Sequence, residues 1–183
     1  MRGLVPAADG QTLVFAGEVV RHRGGAATRF SAVSIHRVAE TGGLPSTPDV
    51  LELRCEPRDL PESRNAPAAT GLDHVVHVLC SHFEEPEAIE RFMTATRGMS
   101  DDYVLGREAW LEVLDHPSDR GGGPPLDPVV DDIYLGRYPS VEAWDALHAL
   151  PDWEEAVTVM ESEATTLFHL LVAPTVNRIA AYR

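Results

Sequence analysis

Between Val75 and Val172 the chain alternates β-branched runs with two amphipathic stretches, and their order leaves few folds open. Val75–Phe83 (VVHVLCSHF) reads as a strand. Pro86 suits a first helical turn, and Ala88, Ile89, Phe92, Met93 and Thr96 then recur at helical spacing until Gly98. Residues 108–114 and 131–138 read as two further strands. Ser140 serves as N-cap for a helix carrying Trp144 and Leu147, which Pro151 interrupts. Asp152 restarts it, with Glu155 three residues on as a capping box and Trp153, Ala156, Val157 and Met160 on one face. Residues 166–172 form the last strand. The order β-α-β-β-α-β is that of a ferredoxin-like α+β domain.

Upstream, residues 12–20, 30–38 and 50–55 read as strands, with a loop at 41–48. No amphipathic helix accompanies them. They form either a β-rich subdomain or a set of strands added to a neighbouring sheet. Residues 58–71 hold two prolines and a polar bias and read as a linker. Residues 116–128 (HPSDRGGGPPLDP) read as a long loop between strands. The expected division is a β-rich extension with linker over 1–70, the ferredoxin-like domain over 71–176, and a tail from 177 to 183.

The chain has 183 residues and no lysine, so its fifteen basic residues are all arginine. Schiff-base and pyridoxal-phosphate chemistry and the GxxxxGK[ST] phosphate loop are thereby excluded. The net charge of −14 lies wholly in residues 71–183, since residues 1–70 balance. Such a polyanion repels nucleic acid and anionic membranes, so neither is an expected partner. Cys55 and Cys80 read as two buried thiols rather than a disulfide. With no apolar leader at the start and no spanning run, the expected location is cytoplasmic.

Residues two apart on a strand share a face. The more apolar sets are expected on the helix-covered side: Val76, Val78 and Cys80, Ile133 and Leu135, Leu111 and Val113, and Phe168, Leu170 and Val172. The other side then carries His77 and Leu79; Trp110 and Glu112; Asp132, Tyr134 and Tyr138; and His169. That face is half apolar and half ionisable, too apolar for water, and is expected to meet a second subunit's sheet. The cavity so formed would suit a small hydrophobic molecule. In it His77 or His169 would act as base, Asp132 or Glu112 would orient it, and Tyr134 would donate to a developing oxyanion. Trp110, Glu112, Tyr138 and Leu79 would contact substrate.

The segment from Asp131 to Pro174 resembles the second half of EthD-like and related members of the dimeric α+β barrel superfamily. The resemblance rests on Ser140, Glu142 and Ala143, then Pro151 and Trp153, and spans roughly residues 73–174. It implies a homodimer. It also implies an activity among the cofactor-free monooxygenases, polyketide cyclases, dehydratases and degradative isomerases of that superfamily. The run RFMTATRGMSDD lacks the histidine that many EthD-like sequences carry there.

No HExxH, GxSxG or GxGxxG motif is present, and no cofactor is called for. His74 and His77 are an odd number apart and point to opposite faces, so with His82 they make no metal cluster. Trp144 and Trp153 read as core, His148 as a surface ring stacked on Trp144, and Arg21, His22 and Arg23 as a tight turn before Gly24. The expected function is a small-molecule enzyme using histidine-centred acid–base catalysis on a hydrophobic, oxygenated, aromatic polyketide-like substrate. A non-catalytic ligand-binding or dimerisation protein of the same fold stays open, as does, more weakly, a histidine-ligated metal or haem protein.

Overall fold

The computed structural model describes residues 11–24, 30–38, 54–58, 72–85, 87–96, 98–115 and 129–178. The expected linker, the loop at 41–48 and the loop at 116–128 lie outside the described residues, the linker's first residue, Arg58, excepted. The elements are β1 (Gln11–Arg23), β2 (Ala32–Val38), β3 (Arg54–Arg58), β4 (Val75–Phe83), α1 (Glu87–Ala95), β5 (Gly106–Asp115), β6 (Asp132–Tyr138), α2 (Val141–His148), α3 (Pro151–Glu163) and β7 (Ala164–Asn177). None of the described helices is long and apolar enough to cross a membrane.

All seven strands join one antiparallel sheet in the order β2-β1-β7-β4-β6-β5-β3. Its middle, β7-β4-β6-β5, is the ferredoxin-like arrangement, with the fourth strand of the motif beside the first and the third beside the second. The N-terminal strands are added to this sheet at both edges. The β1–β2 hairpin lies along β7, and β3 lies along β5.

Local chemistry accounts for the helix ends. Ser140 caps α2 by accepting from the Ala143 amide at 3.3 Å. The capping box expected at Asp152 does not form. Leu150 is the N-cap of α3 and Pro151 its first residue, because proline's fixed φ and missing N–H suit that position.

The two faces of the sheet are covered in the opposite sense to that expected. Val76, Val78, Cys80, Leu135, Phe168, Leu170 and Val172 form a core with Val14 and Phe15 of β1 and with half-buried residues of β2, β3 and β5. That cluster contains no helical residue. The helices instead cover the mixed face, where Val75, Tyr138 and Leu171 pack on Trp144, Leu147, Trp153 and Val157. Phe83 does the same with Ala88 and Met160. Ranking faces by apolarity failed because the N-terminal strands curl the sheet and let its most apolar face bury itself. No helix was then needed on that side.

The crossing of β1 on β7 depends on Gly17. A β-carbon there would stand 2.4 Å from the Ala173 carbonyl oxygen and 2.5 Å from Val172 Cγ1, beside a shift in register between Ala16 and Gly17. Backbone cannot yield as a flexible side chain does. Gly17→Ala is therefore expected to destabilise the protein by about 1–3 kcal/mol in urea unfolding, the range for overpacking. An unchanged midpoint would mean that β1 does not approach β7 in this way.

Candidate functional site

His77 and His169 stand on adjacent strands, β4 and β7, and both are buried beneath the helices. Their imidazoles meet edge to edge, with 2.9 Å between His77 Nε2 and His169 Nδ1 and ring planes within 4° of parallel. Tyr138 and Trp144 pack edge-on to His77, with ring centroids at 6.0 and 6.2 Å. A third imidazole completes the group. His148 of α2 lies 4.0 Å from Trp144 and stands perpendicular to His169 at 6.1 Å. Its side chain is only 8% exposed, so the stacking expected at the surface occurs in the interior.

Burial disfavours the charged form of each ring. It holds His77 down to about 3, with the neighbouring His148 adding to the effect. It holds His148 down to about 4, with Arg23 adding to the effect. His169 lies well below the ordinary histidine range for the same reason, and His77, His148 and Arg23 reinforce the shift. Near pH 7 all three are neutral. An imidazole shifted this far accepts a proton weakly, which makes the pair a poor general base at that pH.

Arg23, expected in a turn, is the last residue of β1; the chain turns at Gly24, whose φ is +92°. Its guanidinium grips two carboxylates of α3. Nε and Nη2 donate to Glu161 at 2.7 and 3.1 Å, and Nη1 and Nη2 donate to Glu154 at 2.8 and 2.9 Å. Lysine has no planar fork and could not hold both in this way. Nη1 also lies 3.4 Å from His148 Nδ1. Arg21 donates to Asp145 at 2.9 Å, so two arginines tie β1 to the helices.

Of the rest of the expected constellation, Tyr134 stands opposite Leu79 and two residues along β6 from Gly136, which faces His77, while Asp132, Glu112 and Trp110 lie further along the sheet. Asp132 accepts from the Trp110 indole at 2.9 Å and lies opposite Ser81, four residues along β4 from His77. Glu112 stands opposite Asp132 on one side and Glu56 on the other. The Tyr134 ring lies over Gly136, where a β-carbon would meet it at 3.1 Å. Leu79 is buried directly opposite His169, and burial pushes the Tyr138 phenol above its ordinary range. The sheet thus brings together His77, His169, Leu79, Tyr138 and Tyr134, and leaves Asp132, Glu112 and Trp110 further along β5 and β6.

A histidine–carboxylate pair does exist, on the opposite face. His82, at the end of β4, bonds through Nδ1 to Asp131, just before β6. Both side chains are part-exposed, at 28% and 43%. Strand alternation puts His82 on the side of Val76, Val78 and Cys80, and Asp131 on the side of Ile133 and Leu135. The pair therefore sits at one end of the apolar, helix-free face. Two residues along β4, Cys80 stands opposite Phe168, whose ring stacks on Phe30 at 5.4 Å. With a carboxylate on Nδ1, the imidazole carries its hydrogen there and leaves the Nε2 lone pair for another partner. The sequence holds the signal: His82 continues the even-numbered apolar set of β4, and Asp131 the odd-numbered set of β6.

Among the described residues no group of three or more His, Cys, Asp or Glu has the spacing to hold a metal ion. The cysteines are free and both belong to the apolar core. Burial pushes Cys55 up to about 12 and raises Cys80 still further.

No protein-family model matches the chain, and no curated protein matches it. Among solved structures it is similar to an Arabidopsis thaliana protein at 20% identity and TM-score 0.43, covering 55% of this chain and 95% of that one. It is also similar to a dimeric ferredoxin-like protein of unknown function from Thermobifida fusca, at 12% identity and TM-score 0.37, covering 55% and 90%. A candidate monooxygenase from Lactobacillus acidophilus aligns over 95% of this chain and 82% of its own, at 11% identity and TM-score 0.44.

The buried imidazoles set the acid sensitivity of the fold. An unfolded histidine takes up a proton near pH 6.5, whereas His77 and His148 are held down to about 3 and about 4 in the folded chain, and His169 is likewise held well below its ordinary range. Unfolding therefore binds protons, and stability falls as pH drops below 6.5. Each such group contributes up to about 1.4 kcal/mol per pH unit. Urea unfolding is expected to show a loss of about 2–4 kcal/mol between pH 6.5 and 5.5. A flat profile would contradict burial of the three rings.

Proposed function

We propose that this protein is a small-molecule enzyme in which His82 is the general base, Asp131 holds its tautomer, and a hydrophobic, oxygenated substrate is held beside this part-exposed pair. The observation that carries this reading is the His82–Asp131 hydrogen bond at the end of the apolar, helix-free face. Proton abstraction from an acidic carbon or a phenol needs a neutral imidazole with a lone pair open to substrate and a carboxylate behind it. His82 has the carboxylate of Asp131 on its Nδ1 and a part-exposed side chain. His77 and His169 are bonded to each other under the helices and have no carboxylate partner among the described residues. A cyclase, dehydratase or cofactor-free oxygenase activity remains the class implied by the resemblance, and a homodimer belongs to the same proposal.

An aryl 1,3-diketone serves as probe, since its central carbon is acidic. Deuterium exchange at that carbon, followed by NMR, is expected to run faster with the protein than in buffer. Its rate is expected to fall by about 10²-fold or more in His82→Ala, the range for losing a general base. Asp131→Asn is expected to lower the rate. A loss in His77→Gln with none in His82→Ala would move the chemistry to the buried pair. Binding without exchange would leave a ligand-binding protein of the same fold.

A further inference from the structure

The helix side of the sheet buries more hydrogen-bonding capacity than its own groups satisfy. His148 Nε2, His169 Nε2, Trp144 Nε1 and Trp153 Nε1 are all buried and have no hydrogen-bond partner among the described residues. Their rings adjoin. Trp144 lies 4.0 Å from His148, His148 lies 6.1 Å from His169, and Trp153 lies 5.9 Å from His148. Orphaned polar atoms cost about 1–3 kcal/mol each, so a cluster of them calls for a shared partner.

The hydrogen positions can be worked out from one end. A guanidinium only donates, so the 3.4 Å contact from Arg23 Nη1 makes His148 Nδ1 an acceptor. A neutral imidazole with an accepting Nδ1 carries its hydrogen on Nε2. His148 Nε2 and the two indoles are thus three buried donors, and His169 Nε2 is the one atom of the four able to accept. We infer that a single buried water sits between His148 and His169, accepting from His148 Nε2–H and from an indole N–H and donating to His169 Nε2. Buried waters typically make about three such bonds. With its Nε2 accepting, His169 carries its hydrogen on Nδ1 and donates to His77 Nε2, which leaves the His77 hydrogen on Nδ1. The result is a hydrogen-bonded chain with one direction: Arg23, His148, water, His169, His77.

Other guests fit this site less well. An anion would meet neutral imidazoles beside the carboxylates of Glu154 and Glu161. A metal ion lacks a donor set among the described residues. The inference is independent of the chemistry proposed for His82, which lies on the opposite face.

Long-range 1H–15N correlation on the uniformly labelled wild-type protein at pH 7 reads the three tautomers directly. The expected hydrogens are on His148 Nε2, His169 Nδ1 and His77 Nδ1, with magnetisation transfer from water to the His148 Nε2 hydrogen. A hydrogen on His169 Nε2 overturns the inference, because that atom could not then accept. Absence of the water transfer overturns it as well. In Arg23→Met, which removes the donor to His148, the His148 hydrogen is expected to spread over both ring nitrogens. An unchanged single tautomer there would mean that the guanidinium does not direct the chain.

Discussion

The structure depends on which face of its sheet buries itself. β1 supplies Val14 and Phe15, the latter fully buried, to a cluster built from alternate residues of β4, β6 and β7. Once seven strands curl around that cluster, its apolar surface is withdrawn from water without help from a helix. Three helices remain to cover the other face. That face carries His77 and His169, so the helices bring Trp144, Trp153 and His148, whose rings combine apolar area with polar edges.

Burial gives the histidines on the two faces different chemistry. Beneath the helices the rings are neutral, paired with each other and locked by Arg23, and their contribution is to stability near neutral pH. At the end of the self-buried face His82 meets a carboxylate and keeps partial exposure. The acidic surplus takes on a structural meaning as well. Part of it, Glu154, Glu161 and Asp145, receives the arginines of β1, so the neutral N-terminal strands are tied by charge to the acidic half of the chain.

Strand and helix positions were legible because their periods differ: the range of β4 was read to the residue, and the N-cap at Ser140 follows from its hydroxyl. The ferredoxin-like order was legible for the same reason. Which face the helices cover was not. Val76, Val78 and Cys80 are the more apolar set, but the partner of that set is chosen by strands some sixty residues upstream, a contact no local pattern reports. The site was read accordingly. His77 and His169 do converge, yet Asp132 turns to Trp110, and the available carboxylate, Asp131, serves a histidine whose face had been taken for packing.

The account predicts two classes of histidine that one measurement separates. Hydrogen–deuterium exchange at the imidazole C2 position, followed residue by residue by mass spectrometry in the native protein, reads the accessibility of each ring. His77 and His169 are expected to exchange at least about tenfold more slowly than His82, as buried groups that open only by local unfolding. Exchange of His77 and His169 as fast as that of His82 would contradict the account, because the helices would not then cover the face on which the pair lies.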